Sequence, residues 1–134
     1  MIHDPDTLNA LLDSVERFVR ERLVPAEHVV QETDEIPEDI VAEMKELGLF
    51  GLTIPEEYGG LGLTMEEEAL VIMVMGQTSP AFRSLFGTTV GIGSQGILLD
   101  GRDWQKTKYL PKLASGEIHC ADRLVEGRYL MSAG

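Results

Sequence analysis

Ten residues, Ile54 to Leu63 (IPEEYGGLGL), stand between two helical patterns and can join neither. Pro55 restricts the residue before it to extended geometry. Gly59, Gly60 and Gly62 supply positive φ or let backbone pass closely. Leu52, Ile54, Tyr58, Leu61 and Leu63 line the segment with apolar side chains, so it is expected to lie against a core. Thr64 to Glu67 then reads as a capping box, in which hydroxyl and carboxylate each satisfy a free backbone N–H. Glu66, Glu67 and Glu68 suit the positive end of the helix dipole. The segment therefore commits the chain to an order of helix, packed glycine turn and buried helix.

The flanking patterns supply the helices. Leu8, Leu11, Leu12, Val15, Phe18, Val19 and Leu23 recur at three- and four-residue steps, with Asp4 as cap and Pro5 at the first position. Asp13–Arg17 and Glu16–Arg20 are spaced to pair on the wet side. Pro25 is expected to kink or end this helix, and Ala26, Val29 and Val30 to resume it. Pro37 opens a second helix through Ile40, Val41, Met44 and Leu47, closed by Gly48 with Leu49 as the apolar contact after it. The third, about Met65 to Gly76, is apolar nearly all round in its second half. A central position is expected for it, with Met73 and Met75 as core filler. Ser79-Pro80 starts another helical segment that runs through Phe82, Leu85 and Phe86 into a glycine-rich region and Ile97-Leu98-Leu99. A last helix begins near Arg102; Pro111 is expected to interrupt it and Gly116 to end it. Leu124, Val125, Tyr129 and Leu130 are compatible with a short strand. The fold class expected is all-α, a bundle of five to six helices.

A chain of 134 residues is one domain by length and can bury a real core. Its net charge of -12 argues against nucleic acid and anionic membranes as main partners. The charge is uneven. Acids crowd Glu27 to Glu46, and bases crowd Arg102 to Lys112. Both runs read most simply as solvated faces; the sharper reading is a subunit contact or an edge for an anionic ligand. Cys120 is the single cysteine, so an intrachain disulfide is impossible and a reducing, cytoplasmic setting is expected. Asp4 and Asp6 stand where a targeting leader would be basic, and no such leader is expected. The longest apolar run, Ala69 to Met75, is too short to span a bilayer, so no membrane insertion is expected.

Gly91 to Gly96 (GIGSQG) is a literal G-x-G-x-x-G, which in a dinucleotide-binding unit lies between a strand and a helix. Here helix precedes it, and only Thr88-Thr89-Val90 has strand character. The alternative is that these glycines let helices pack or a ligand chain pass. His3, His28 and His119 lack metal-ligand spacing and read as surface residues. His119 beside Cys120 is a poor catalytic pair, because sequence neighbours on a strand face opposite ways. Ser94 is not in a nucleophile elbow. No complete catalytic machinery emerges from the residues.

Ile54 to Leu63 and Gly101 to Glu117 (GRDWQKTKYLPKLASGE) stand in the order and spacing of the N-terminal helical domain of acyl-CoA dehydrogenases. Leu47 to Gly51 and Gly93 to Ile97 resemble the same family, and the resemblance covers about residues 5 to 117. It implies FAD-dependent oxidation of an acyl-CoA thioester to the 2-enoyl-CoA. A glutamate base takes the α proton, and a hydride passes from the β carbon to flavin N5. It further implies a homo-oligomer, typically a tetramer, built from a helical domain, a β domain and a second helical domain. In that family this domain helps line the acyl-chain pocket and covers one side of the flavin. By position, the pocket-facing residues would be Ser84, Thr88 and Ile92. Residues 1–117 are thus expected to form the domain. Residues 118–134 lack the family's Thr-Glu-Pro and Gly-Ser segment and read as a divergent tail in place of the β domain. The chain is accordingly expected to be a truncated or frame-shifted product, or a domain fragment, inactive alone and without bound flavin. Two other functions fit: a non-catalytic helical module for interaction or self-association, and a small dinucleotide-binding protein using Gly91 to Gly96.

Overall fold

The computed structural model describes residues 4–120 and the backbone of the strands 122–125 and 128–131. Among these, the helices are α1 (Pro5–Phe18), α2 (Val24–Thr33), α3 (Glu38–Glu46), α4 (Met65–Met75), α5 (Pro80–Thr88), α6 (Ser94–Asp100) and α7 (Asp103–Ala114). Two π-turns, Val19–Leu23 and Thr89–Gly93, carry α1 into α2 and α5 into α6 without a break. The helices therefore make five rods, and the protein is all-α. Strands β1 (Asp122–Val125) and β2 (Arg128–Met131) pair antiparallel, Asp122 opposite Met131.

Local chemistry sets the helix ends. The Asp4 carboxylate accepts from the Asp6 N–H at 3.2 Å and the Thr7 hydroxyl at 2.7 Å. Those bonds, the Thr7 one first, hold its pKa below the ordinary carboxylate value. Thr64 and Glu67 form the expected capping box, and the Ser79 hydroxyl accepts from Ala81 N–H. Gly48 follows α3 at φ 76°, a left-handed position that lets the chain turn into Leu49–Gly51.

Two apolar clusters fill the interior. The larger joins α1 to α5 through Val15, Leu23, Met44, Phe50, Val71, Phe82 and Phe86. The smaller gathers Ile54, Ile97, Leu110, Leu113 and Ala114 under α6 and α7. The glycine turn connects them, Leu52 and Leu63 entering the first cluster and Ile54 the second. Its backbone is tied down by Leu61 N–H to Gly51 O and Leu63 N–H to Leu52 O, at 2.9 and 2.8 Å. Gly60 is required here, because a Cβ would collide with the Ile54 carbonyl.

Four local expectations are corrected. Pro37 is the N-cap of α3, not its first residue. Pro111 lies inside α7 without interrupting it. An interior proline costs about 3 kcal/mol. Beyond it Leu113 and Ala114 are buried, and burying one large apolar side chain returns about 1.5–3 kcal/mol. The i,i+4 pairs on α1 do not form among the described residues. Instead Arg22 reaches across to Asp39 at 2.6 Å and Glu43 at 2.7 Å, contacts that Glu43 first and Asp39 second use to raise the guanidinium pKa. Finally, α4 is not enclosed: Val71 and Met75 are buried, but Met73 stands in the open.

Candidate functional site

The rod α5–π-turn–α6 has two unlike faces. Inward it presents Phe82, Phe86, Val90, Gly93, Ser94 and Ile97, all buried. Outward it presents Ser84, Thr88 and Ile92, the three residues singled out by position, with Ser84 and Ile92 exposed and Thr88 half-buried. Ser84 has its hydroxyl engaged, donating to the Pro80 carbonyl at 2.9 Å. Ile92 projects from the π-turn with 61% of its surface free. The same side continues through Gly91 and Gly96, where a Cβ would meet nothing within 4 Å, to Leu99 at 77% exposure. Gly91, Gly96 and Leu99 thus extend the face beyond the three positions. The available signal was the helical spacing, four then three residues, of Ile92, Gly96 and Leu99.

A polar clasp fixes the back of the π-turn. The Val90 carbonyl accepts from the Ser94 hydroxyl at 3.0 Å and from the Thr53 hydroxyl at 3.4 Å, and Gln95 Nε2 donates to Thr53 Oγ1 at 3.1 Å. The Cys120 N–H donates to Thr89 Oγ1 at 3.2 Å. The Cys120 side chain occupies the space that a Cβ on Gly93 would need. His119 lies on the Phe50 ring, centroids 5.1 Å apart. Partial burial, and then the nearby Lys45 charge, lower its pKa. Glu27 performs a similar service at the start of α5: its carboxylate accepts from the Thr78 hydroxyl at 2.8 Å and the Ser79 N–H at 3.0 Å.

The hexapeptide Gly91 to Gly96 lies wholly within helix, spread over the π-turn and α6. No strand leads into it, so its N–H groups serve helical bonds and do not converge on a phosphate. This removes the structural basis for dinucleotide binding through that motif. The basic run on α7 is mostly solvated, with Lys112 paired to Glu117 at 3.3 Å and Lys108 lying 5.3 Å over the Tyr109 ring. Among the described residues, no three His, Cys, Asp or Glu side chains gather as a metal ion requires. No described helix is long and apolar enough to cross a membrane.

The α5–α6 rod thus leaves an open face of small and apolar residues, Thr88, Gly91, Ile92, Gly96 and Leu99. Comparison with known proteins gives the chain a family. Residues 5–117 match the acyl-CoA dehydrogenase N-terminal domain. The chain is 42% identical over 116 residues to a (2S)-methylsuccinyl-CoA dehydrogenase of Cereibacter sphaeroides, covering 84% of this chain and 21% of that protein. It is 42% identical over 119 residues to the mitochondrial very long-chain specific acyl-CoA dehydrogenase of Macaca fascicularis, covering 89% and 18%. An acyl-CoA dehydrogenase of Bacillus anthracis, solved in complex with FAD, superposes with a TM-score of 0.74 at 33% identity, over 87% of this chain and 20% of that one. The chain belongs to the acyl-CoA dehydrogenase family, of which it carries the N-terminal helical domain. It spans about a fifth of the length of these relatives.

Proposed function

We propose that this domain serves an FAD-dependent dehydrogenase that converts an acyl-CoA thioester to its 2-enoyl-CoA, and that it contributes the wall against which acyl chain and flavin rest. The outward face of α5–α6 carries this reading. Thr88, Gly91, Ile92, Gly96 and Leu99 offer a smooth, largely apolar surface with open backbone at two glycines. Such a surface suits an alkyl chain or a flat ring, which gain by leaving water. The flavin, when bound, supplies the hydride acceptor. The residues present fit its flank but not its pyrophosphate, since the Gly91–Gly96 N–H groups are spent within helix. The role of these residues is to exclude water and limit chain length: Ile92 by its bulk, Thr88 and Gly96 by the room they leave. In this proposal the 134 residues alone are catalytically silent, residues 118–134 are a divergent tail, and the working enzyme is a cytoplasmic homo-oligomer.

The test is a chimera in which residues 5–117 replace the corresponding domain of the Bacillus anthracis enzyme. It is expected to bind FAD and oxidise acyl-CoA, with Ile92→Trp shifting preference to shorter chains and Ile92→Ala to longer ones. A folded, flavin-loaded chimera whose chain-length profile ignores both changes would defeat the assignment. The purified 134-residue chain is expected to be colourless and without turnover.

One observation favours a second reading, a module for interaction or self-association. On α4, Met65, Leu70 and Met73 leave an apolar face uncovered. Sedimentation that is unchanged by Met73→Glu would exclude self-association through this face.

A further inference from the structure

We infer that α4 carries a site of reversible methionine oxidation, Met65 and Met73, which hydrogen peroxide converts to sulfoxides while the fold persists. Met65 is 84% exposed and Met73 71%, whereas Met44 and Met75 are 0% and 1% exposed. Met65, Ala69 and Met73 follow at four-residue steps and are all exposed, so the two thioethers share one side of the helix. Oxidation of a thioether requires the peroxide to reach sulfur. In the step, sulfur gives two electrons and forms an S–O bond with one peroxide oxygen. The O–O bond breaks, and the second oxygen leaves as water. The product is polar where the reactant was apolar, so two oxidations convert this face from a sticky surface to a hydrated one. Neither sulfur supports the core, which uses Val71 and Met75 on the opposite side of α4. The chemistry is therefore separable from unfolding. The inference is independent of the dehydrogenase assignment. It rests on exposure at α4, while a role of that face in association would be read separately.

The experiment treats the purified chain with hydrogen peroxide at neutral pH and follows each methionine by peptide mass. Met65 and Met73 are expected to gain one oxygen on the order of tenfold faster than Met44 and Met75. Far-ultraviolet circular dichroism should stay helical. Binding of an apolar dye should fall to the level of a Met65→Gln/Met73→Gln variant, and methionine sulfoxide reductases should restore it. Equal rates at all four methionines, oxidation only after helix is lost, or unchanged dye binding by the oxidised protein would each overturn the site. Sedimentation of the oxidised and untreated chain then tests association through α4, whichever way the oxidation result falls.

Discussion

Val24 donates its N–H to Val19, five residues back, and Ser94 donates to Thr89 in the same way, so each long rod contains one widened turn. The first is answered by a proline. Pro25 has no N–H to give, and its ring crowds the preceding turn of a regular helix. One extra residue in the turn just before it relieves that crowding, and the rod resumes as α2. The second turn has no proline near it. It is held from outside by Thr53 and Cys120. The Thr53 hydroxyl donates to the Val90 carbonyl and accepts from Gln95, the Cys120 N–H donates to the Thr89 hydroxyl, and the Cys120 side chain fills the hollow at Gly93, while Ser94 at the end of the turn donates back to Val90. One distortion is thus local in origin and the other tertiary. The tertiary one lies behind the face assigned to the ligand, where a widened turn adjusts which side chains project.

If the first turn depends only on its own sequence and on apolar packing, its sensitive point is Leu23, fully buried below it. Leu23→Ala is expected to cost about 2–5 kcal/mol in urea unfolding. A loss well under 1 kcal/mol would mean that the turn collapses freely and is not a packed element. The second turn should instead fail by crowding. Gly93→Ala places a Cβ on the Cys120 side chain, and overpacking of this kind costs about 1–3 kcal/mol. Adding Cys120→Gly should recover most of it. A double variant no more stable than Gly93→Ala would disprove the contact as the cause.

A smaller effect is expected from Ser94→Ala, which removes one donor to the Val90 carbonyl. A typical hydrogen bond contributes about 0.5–1.5 kcal/mol. The Thr53 hydroxyl remains at 3.4 Å to partner that carbonyl, so the low end is expected. Ser94→Ala with Thr53→Val leaves the carbonyl without either hydroxyl. The pair should cost more than the two single changes added together. Strict additivity would show that the clasp is not shared.

The contrast also explains what the sequence made legible. The α1 stripe and the capping box at Thr64 are short-range, because stripe and cap act within a turn or two; Pro25 does not end its rod, and the widened turn before it was not foreseen. The glycine turn was legible for the same reason: Gly60 and its apolar neighbours announce close packing. The π-turn at Thr89 was not, because its partners lie at Thr53 and Cys120, far along the chain. Its glycines alone fit a phosphate loop or a packing face equally well. The open side of α4 escaped for a related reason. A helix apolar all round is consistent with enclosure, and only the arrangement of neighbouring rods decides whether Met73 is covered. On the face proposed for the ligand, Ser84, Thr88 and Ile92 were named by position in the family pattern, while the exposure of Gly91, Gly96 and Leu99 beside them depends on how the rods pack.

The smallest expected effect separates the two turns by pH. His119 adjoins Cys120 at the second turn, and burial against Phe50 together with the Lys45 charge lowers its pKa. The neutral imidazole is therefore favoured in the folded state, and the unfolded chain binds more protons near the ordinary imidazole range. The resulting stabilisation is complete above that range and is lost as pH falls through it toward the folded value. The first turn has no such group: Arg22, which crosses from it to Asp39 and Glu43, has its pKa raised further from neutrality. The melting temperature of the wild-type chain should thus fall slightly more between pH 7.5 and pH 5.5 than that of His119→Gln, and Arg22→Gln should leave this pH difference unchanged. Parallel melting curves for wild type and His119→Gln would show that the imidazole is solvated and has no part in the clasp.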